Sequence, residues 1–203
     1  MSRARALCIV MLALLAEVLC SAQTLAASES CADSVSSSDT VVITSSAAAD
    51  SLPTSERTFV ALKPDAVQRG LVGAILRRFE RKGLQIVALK TVHATRAQAE
   101  LHYVEHTHRP FFRDLVAYFT SGPIVCVALA GKDAVQSVRA IMGTTRPLEA
   151  APGTIRFDLA VDAARNLVHG SDSVAAAERE LAHWFAAAEL LPWTPSMQHW
   201  LQE

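Results

Sequence analysis

Residues 165–173 read RNLVHGSDS, a short apolar run that delivers His169 onto a Gly-Ser-Asp-Ser turn. A neutral imidazole is nucleophilic near physiological pH and can carry a transferred phosphoryl group on nitrogen. To do so it needs cations and amide donors around that group, and a metal to gather phosphates. Gly170 lets the backbone pass close, and Ser171 and Ser173 offer hydroxyls. Asp172, at the start of a helix, can take magnesium directly or through water. Glu180, inside the same helix, can fold back and orient the ring. A lone histidine is more often a satisfied core residue, so its company decides.

Several other chemistries are missing from the chain. It holds no G-x-x-x-x-G-K-[ST] loop, no G-x-G-x-x-G, no Cys-x-x-Cys and no His-Glu-x-x-His. No G-x-S-x-G presents a serine for hydrolysis. His102 and His106 stand at i, i+4, but that spacing alone is a weak metal signal. The formal charge of −1 gives no global pull toward nucleic acid or an anionic membrane, so neither is an expected partner.

The elements that must position these groups follow from periodicity. "RTFVAL" from Arg57 is a strand ended by Lys63-Pro64-Asp65. Val72, Ile75, Leu76 and Phe79 make a one-faced helix closed at Lys82-Gly83, and "LQIVALKTV" is a second strand. Thr95 caps a helix expected to run to about Glu105, and Arg109-Pro110 opens another carrying Phe112, Leu115, Val116 and Phe119. "IVCVALA" is a fully apolar strand, followed by a helix over 132–142. A polar connection over 143–165 is longer than structure alone requires. "NLV" at 166–168 is the expected fourth strand. Ser173 then caps a helix with Val174, Ala177, Leu181 and Phe185 on its buried face. Trp193 and Trp200 in the tail should dock. The order predicts an α+β, ferredoxin-like fold: a four-stranded antiparallel sheet of split βαβ type, covered by helices on one face.

The 203 residues, half of them apolar, suffice for one domain with extensions. Residues 1–27 have the layout of a cleavable signal peptide. Arg3 and Arg5 precede the run "ALCIVMLALLAEVLC", which is short for a stable anchor and interrupted by Glu17. Secretory entry is therefore expected, to the outside or an organelle lumen, with a mitochondrial or plastid leader as the alternative. Residues 28–55 are Ser/Ala-rich and read as a disordered tether, leaving 56–203 as the catalytic domain. Cys8 and Cys20 leave with the leader, while Cys31 in the tether and Cys126 in a core strand are poor partners.

Taken together, Lys63-Pro64-Asp65, "HYVEHTHRPFF" at 102–112, "VRAIMGTT" at 138–145, "GTIR" at 153–156 and "NLVHGSD" resemble the nucleoside diphosphate kinase family. The resemblance runs from Glu56 to Glu203. It implies transfer of the γ-phosphate of a nucleoside triphosphate to His169 and then to a nucleoside diphosphate, with Mg2+ held near Asp172. By the same resemblance Lys63 and Asn166 contact ribose, with Lys63 also near the transferred group. His106, Arg139, Thr145 and Arg156 contact phosphate, Phe111 stacks on the base and Leu115 packs nearby. Tyr103, Ser171 and Glu180 support the histidine. Stacking without base-edge readout explains broad base tolerance. The family also implies a homohexamer or homotetramer. Phe157, Ala66 and Ala163 depart from its pattern and put nucleotide affinity and loop packing at issue. They motivate a second reading, a secreted nucleotide-binding module with weakened catalysis.

Overall fold

In the computed structural model, residues 55–201 are described, apart from Met197. The leader and nearly all of the tether lie outside them. Four strands form one sheet: β1 Glu56–Leu62, β2 Gln85–Val92, β3 Ile124–Gly131 and β4 Val168–Gly170. Their order is β2-β3-β1-β4, with every neighbouring pair antiparallel. The split βαβ expectation therefore holds. Among the described residues six α-helices connect the strands, α1 Pro64–Gln68, α2 Val72–Arg81, α3 Arg96–His102, α4 Phe112–Phe119, α5 Ala134–Met142 and α6 Ile155–Leu159, and a seventh, α7 Val174–Trp184, follows β4.

Helices cover both faces of the sheet, not one. Along β1, Val60 and Leu62 join Ile75, Phe79, Val138 and Met142 on one side. Phe59 and Ala61 join Val116, Phe119, Leu181 and Trp184 on the other. Successive side chains of a strand point to opposite faces, so a central strand under two helical layers must be apolar throughout. That explains "IVCVALA", buried from Ile124 to Ala130.

Local chemistry sets the helix ends. Thr95 and Gln98 form a reciprocal capping box at α3, which stops at His102; a separate 3-10 turn spans Val104–His106. Ser173 Oγ accepts from the Ala176 N–H and caps α7. Val174 departs from expectation and is half exposed; α7 buries Ala176, Ala177, Glu180, Leu181 and Trp184. In the tail, the Leu191 N–H donates to Val87 O at 3.0 Å. Trp193 Nε1 donates to Ile86 O at 3.1 Å, so this indole docks on β2. Trp200 stays largely exposed.

The 143–165 connection folds back through a 3-10 turn at Pro147–Glu149 and the short helix α6. Gly143 is its pivot, at φ +82, and a Cβ there would lie 2.5 Å from Thr154 Oγ1 and 3.1 Å from Ala150 Cβ. Both the left-handed backbone and this contact oppose a side chain. Gly143→Ala is expected to cost about 1–3 kcal/mol, read as a lowered urea midpoint at unchanged m-value.

The fourth strand is displaced from the expected position. Pairing with β1 begins at Val168, which faces Leu62, and places His169 opposite Ala61 and Gly170 opposite Val60. His169 thus sits within the sheet and not on a turn after it. Leu167 just before it is fully buried at φ +68, a conformation costly for a side-chain-bearing residue. Gly170 must be small, because a Cβ would come within 2.6 Å of Met142 Sδ and 3.1 Å of Val138 Cγ1.

Candidate active site

Beside the β4 end of the sheet a cavity of about 730 Å3 opens to solvent. Its walls include Lys63 from the end of β1, Tyr103 and His106 from the α3 end and 3-10 turn, Phe111 and Leu115 from α4, and Arg139 from α5. The return loop adds Thr145, Arg156 and Asn166; β4 and α7 add His169, Asp172 and Glu180. The fold gathers every predicted site residue at this cavity except Ser171, which is buried behind Glu180.

Glu180 fixes the imidazole. Its Oε2 lies 3.0 Å from His169 Nε2 and accepts the Ser171 hydroxyl at 2.7 Å. A carboxylate oxygen can only accept, so Nε2 carries the proton and Nδ1 keeps its lone pair. The ring is packed by His102 at 4.4 Å and Tyr103 at 5.8 Å between centroids. Burial foremost, then the positive charges of Lys63, Arg156 and Arg139, hold the His169 pKa down to about 3. Burial pushes the Glu180 carboxyl upward.

The cations are held individually. Lys63 is buried and its Nζ donates to Asn166 Oδ1 at 2.8 Å; burial and then Arg156 lower its pKa to about 8. Arg156 is buried and spans three carbonyls: Gly143 and Val168 at 2.8 Å, and Asn166 at 3.4 Å. Burial, and then Arg139, lower its pKa to about 10. Arg139 is exposed and reaches only Gly170 O, at 3.5 Å. Asn166 Nδ2 donates to Thr145 O at 3.1 Å, tying the loop to the Lys63 side.

Unequal protonation makes folding pH-dependent. Between pH 6.5 and 3 the unfolded chain binds the His169 proton and the folded chain does not, so this residue's contribution to stability is present above pH 6.5 and lost on acidification. His169→Gln should flatten the fall in unfolding free energy between pH 7 and 5 by about 2 kcal/mol, measured by urea titration at each pH. An unchanged pH slope would contradict a depressed imidazole.

His102, His169 and Glu180 bring potential ligand atoms within 4.8 Å of one another. Trp184 argues against a metal there. Its indole N–H donates to His102 Nδ1 at 3.3 Å, which leaves the neutral ring's proton on Nε2 and no free lone pair. The same protonation removes the His102–His106 pair as a two-nitrogen site. Asp172 is different: its exposed carboxylate lines the cavity and receives only the Ser173 hydroxyl at 3.1 Å. One open carboxylate on a solvent-open cavity suits a hard divalent cation that keeps waters.

The sequence model described as nucleoside diphosphate kinase matches residues 56–190. The chain belongs to the nucleoside diphosphate kinase family. It is 55% identical over 148 residues to the nucleoside diphosphate kinase of Gloeobacter violaceus, covering 73% of this chain and 99% of that protein. It is 49% identical over 150 residues to that of Brugia malayi, covering 74% and 98%. Among solved structures, a halophilic nucleoside diphosphate kinase from Halobacterium salinarum in complex with CDP aligns with TM-score 0.72 and 46% identity, covering 73% of this chain and 99% of that one. A nucleoside diphosphate kinase family protein from Babesia bovis aligns with TM-score 0.70 and 44% identity, covering 72% and 99%.

The departures from the nucleoside diphosphate kinase pattern fall unevenly. Phe157 is partly exposed on α6 and is not a wall of the cavity. Ala66 is buried in α1, away from the cavity walls. Ala163 does line the cavity. The sequence alone marks Asp65 only as part of the turn that ends β1 and His102 only as a weak metal candidate, and it marks no role for Tyr118 or Arg165. Asp65 lies inside the Lys-Pro-Asp motif and was findable from it; Tyr118 and His102 carry no local signal of their contacts.

Proposed function

We propose that this chain is a working nucleoside diphosphate kinase that passes a phosphoryl group through His169 by a ping-pong mechanism. The observation that carries this is the His169–Glu180–Ser171 chain: it leaves Nδ1 as the free nitrogen in a cavity lined by Lys63, Arg139 and Arg156. In the forward half-reaction Nδ1 attacks the γ-phosphorus, forming a P–N bond as the bond to the β,γ-bridging oxygen breaks. The nucleoside diphosphate leaves with that electron pair. The second half-reaction reverses these events onto another diphosphate. The Nε2 proton stays on the ring, and Glu180 balances the charge that the ring gains.

The cations act on the developing negative charge. Arg156 has N–H groups beyond its three carbonyl contacts, and Arg139 is free to turn toward phosphate. Guanidiniums grip phosphate oxygens in a fixed geometry, better than a lone ammonium. Lys63 and Asn166, already bonded to each other, would take the ribose hydroxyls, and Lys63 also the transferred group. The Tyr103 hydroxyl is buried without a partner beside the ring, a donor waiting for an oxygen. Phe111, half exposed at the cavity mouth, offers a stacking face that does not discriminate bases, with Leu115 below it. Mg2+ bound at Asp172 and the phosphates would neutralise charge on the leaving diphosphate.

Incubation with γ-labelled ATP and Mg2+ should give an acid-labile, alkali-stable phosphoprotein, and initial rates with GTP and ADP should give parallel double-reciprocal lines. Nucleotide binding without label or turnover would favour the weakened-catalysis module instead. We further propose a homohexamer or homotetramer, supported by exposed Leu148, Phe157 and Val161 on the 143–165 loop. Light scattering should find no monomer at micromolar concentration. The leader is proposed to direct secretory entry, which N-terminal sequencing of the mature protein tests.

A further inference from the structure

The Lys-Pro-Asp turn contains a carboxylate that the transfer mechanism leaves unused. Asp65, on α1, holds two groups from different parts of the fold. Its Oδ2 accepts the Leu167 N–H at 3.1 Å, and its Oδ1 accepts the Tyr118 hydroxyl from α4. Leu167 is the buried residue at φ +68, and its carbonyl accepts the Lys63 N–H at 2.8 Å. Both backbone groups of this strained residue are therefore satisfied by the 63–65 turn. Tyr118 is itself clasped, with the Arg165 guanidinium 4.0 Å above its ring.

We infer that Asp65 is a positioning residue for the nucleotide site: steadied by the Tyr118 hydroxyl, its carboxylate pins the left-handed turn at Leu167 and sets a negative charge on the same turn as the Lys63 cation. The inference rests on the nucleotide-site reading of the cavity. The geometric half follows from chain continuity. Asn166 and Val168 flank Leu167, Asn166 Oδ1 is the Lys63 Nζ partner, and Val168 O is an Arg156 partner. A shift of the Leu167 peptide would move both cation contacts and the strand that presents His169.

The electrostatic half follows from what surrounds Lys63. Arg156 on α6 and Arg165 on the loop lower its proton affinity, the Tyr118 ring lies 5.9 Å from Nζ, and His169 on β4 lines the same cavity. Asp65 is the one neighbour that raises it. A Lys63 pKa of about 8, lowered mainly by burial, stands close enough to neutrality for this carboxylate to matter.

The two halves separate by substitution. Asp65→Asn keeps an oxygen for the Leu167 N–H and an amide that can donate to the Tyr118 oxygen, but removes the charge. Tyr118→Phe removes the clasp and keeps the charge. ADP affinity, measured by calorimetry from pH 6.5 to 9.5, should weaken for the wild type above a midpoint near pH 8. Asp65→Asn should move that midpoint down by at least half a pH unit. Tyr118→Phe should weaken binding about 3–10-fold at every pH and leave the midpoint in place. A midpoint unmoved in Asp65→Asn, or Tyr118→Phe binding like wild type, overturns the inference. Because ADP binding is read without turnover, failed labelling of His169 would count against the transfer mechanism alone, whereas absent ADP binding by the wild type would overturn the nucleotide-site reading.

Discussion

Replacing His169 by alanine is expected to lower kcat by at least about 10^4-fold and to abolish labelling by γ-labelled ATP, while ADP still binds. The reason is positional. Of the other described histidines only His102 and His106 line the cavity; His102 has Nδ1 engaged by Trp184, and His106 sits on the separate 3-10 turn, away from the Glu180 carboxylate that orients His169. Glu180→Gln provides the graded companion. An amide can still accept from Nε2–H or from Ser171, but it carries no charge to balance the phosphorylated ring. Its kcat should fall about 10^2-fold, with labelling slowed and not lost. Equal labelling of wild type and His169→Ala would remove the histidine from the mechanism.

Arg156→Ala should damage both stability and turnover. The guanidinium joins the carbonyls of Gly143, Asn166 and Val168, which belong to the start of the return loop, its end and β4. Without it, three carbonyls lose a donor and a buried space is left. The expected cost is about 2–4 kcal/mol, or roughly 5–15 °C in Tm for a domain of this size. kcat/KM should fall at least about 10^2-fold, since a phosphate-binding cation and the loop that presents Thr145 are lost together. Arg156→Lys is the discriminating variant. An ammonium keeps the charge but lacks the planar, forked donors with which the guanidinium reaches three separate carbonyls. Recovery of Tm by lysine would contradict the role of loop pin, and full turnover in Arg156→Ala would contradict the phosphate contact.

The chain's local signals were strong where one residue type has one physical meaning. Thr95 and Ser173 cap helices because their oxygens reach backbone N–H groups within a turn. β1, β2 and β3 were legible as apolar runs bounded by Pro, Gly and Lys. β4 was not, because its limits depend on pairing with β1: the run "NLV" is apolar, yet only Val168 of it enters the ladder, and His169 and Gly170 complete it. Covering of both sheet faces was equally invisible locally, since a buried strand looks the same whichever helices flank it.

The sequence by itself determined the family, the order of elements and the set of groups that could meet a polyphosphate, because these are matters of residue type in a linear frame. Tertiary structure alone decided which nitrogen of His169 is free, since that turns on a carboxylate eleven residues away folding back onto Nε2. It also decided that Arg156 holds the loop as well as facing the cavity, and that Asp65, Tyr118 and Leu167 form one clasp across 102 residues of chain. Hydrogen bonds and burial energies depend on distances between segments remote in sequence, and folding is what sets those distances.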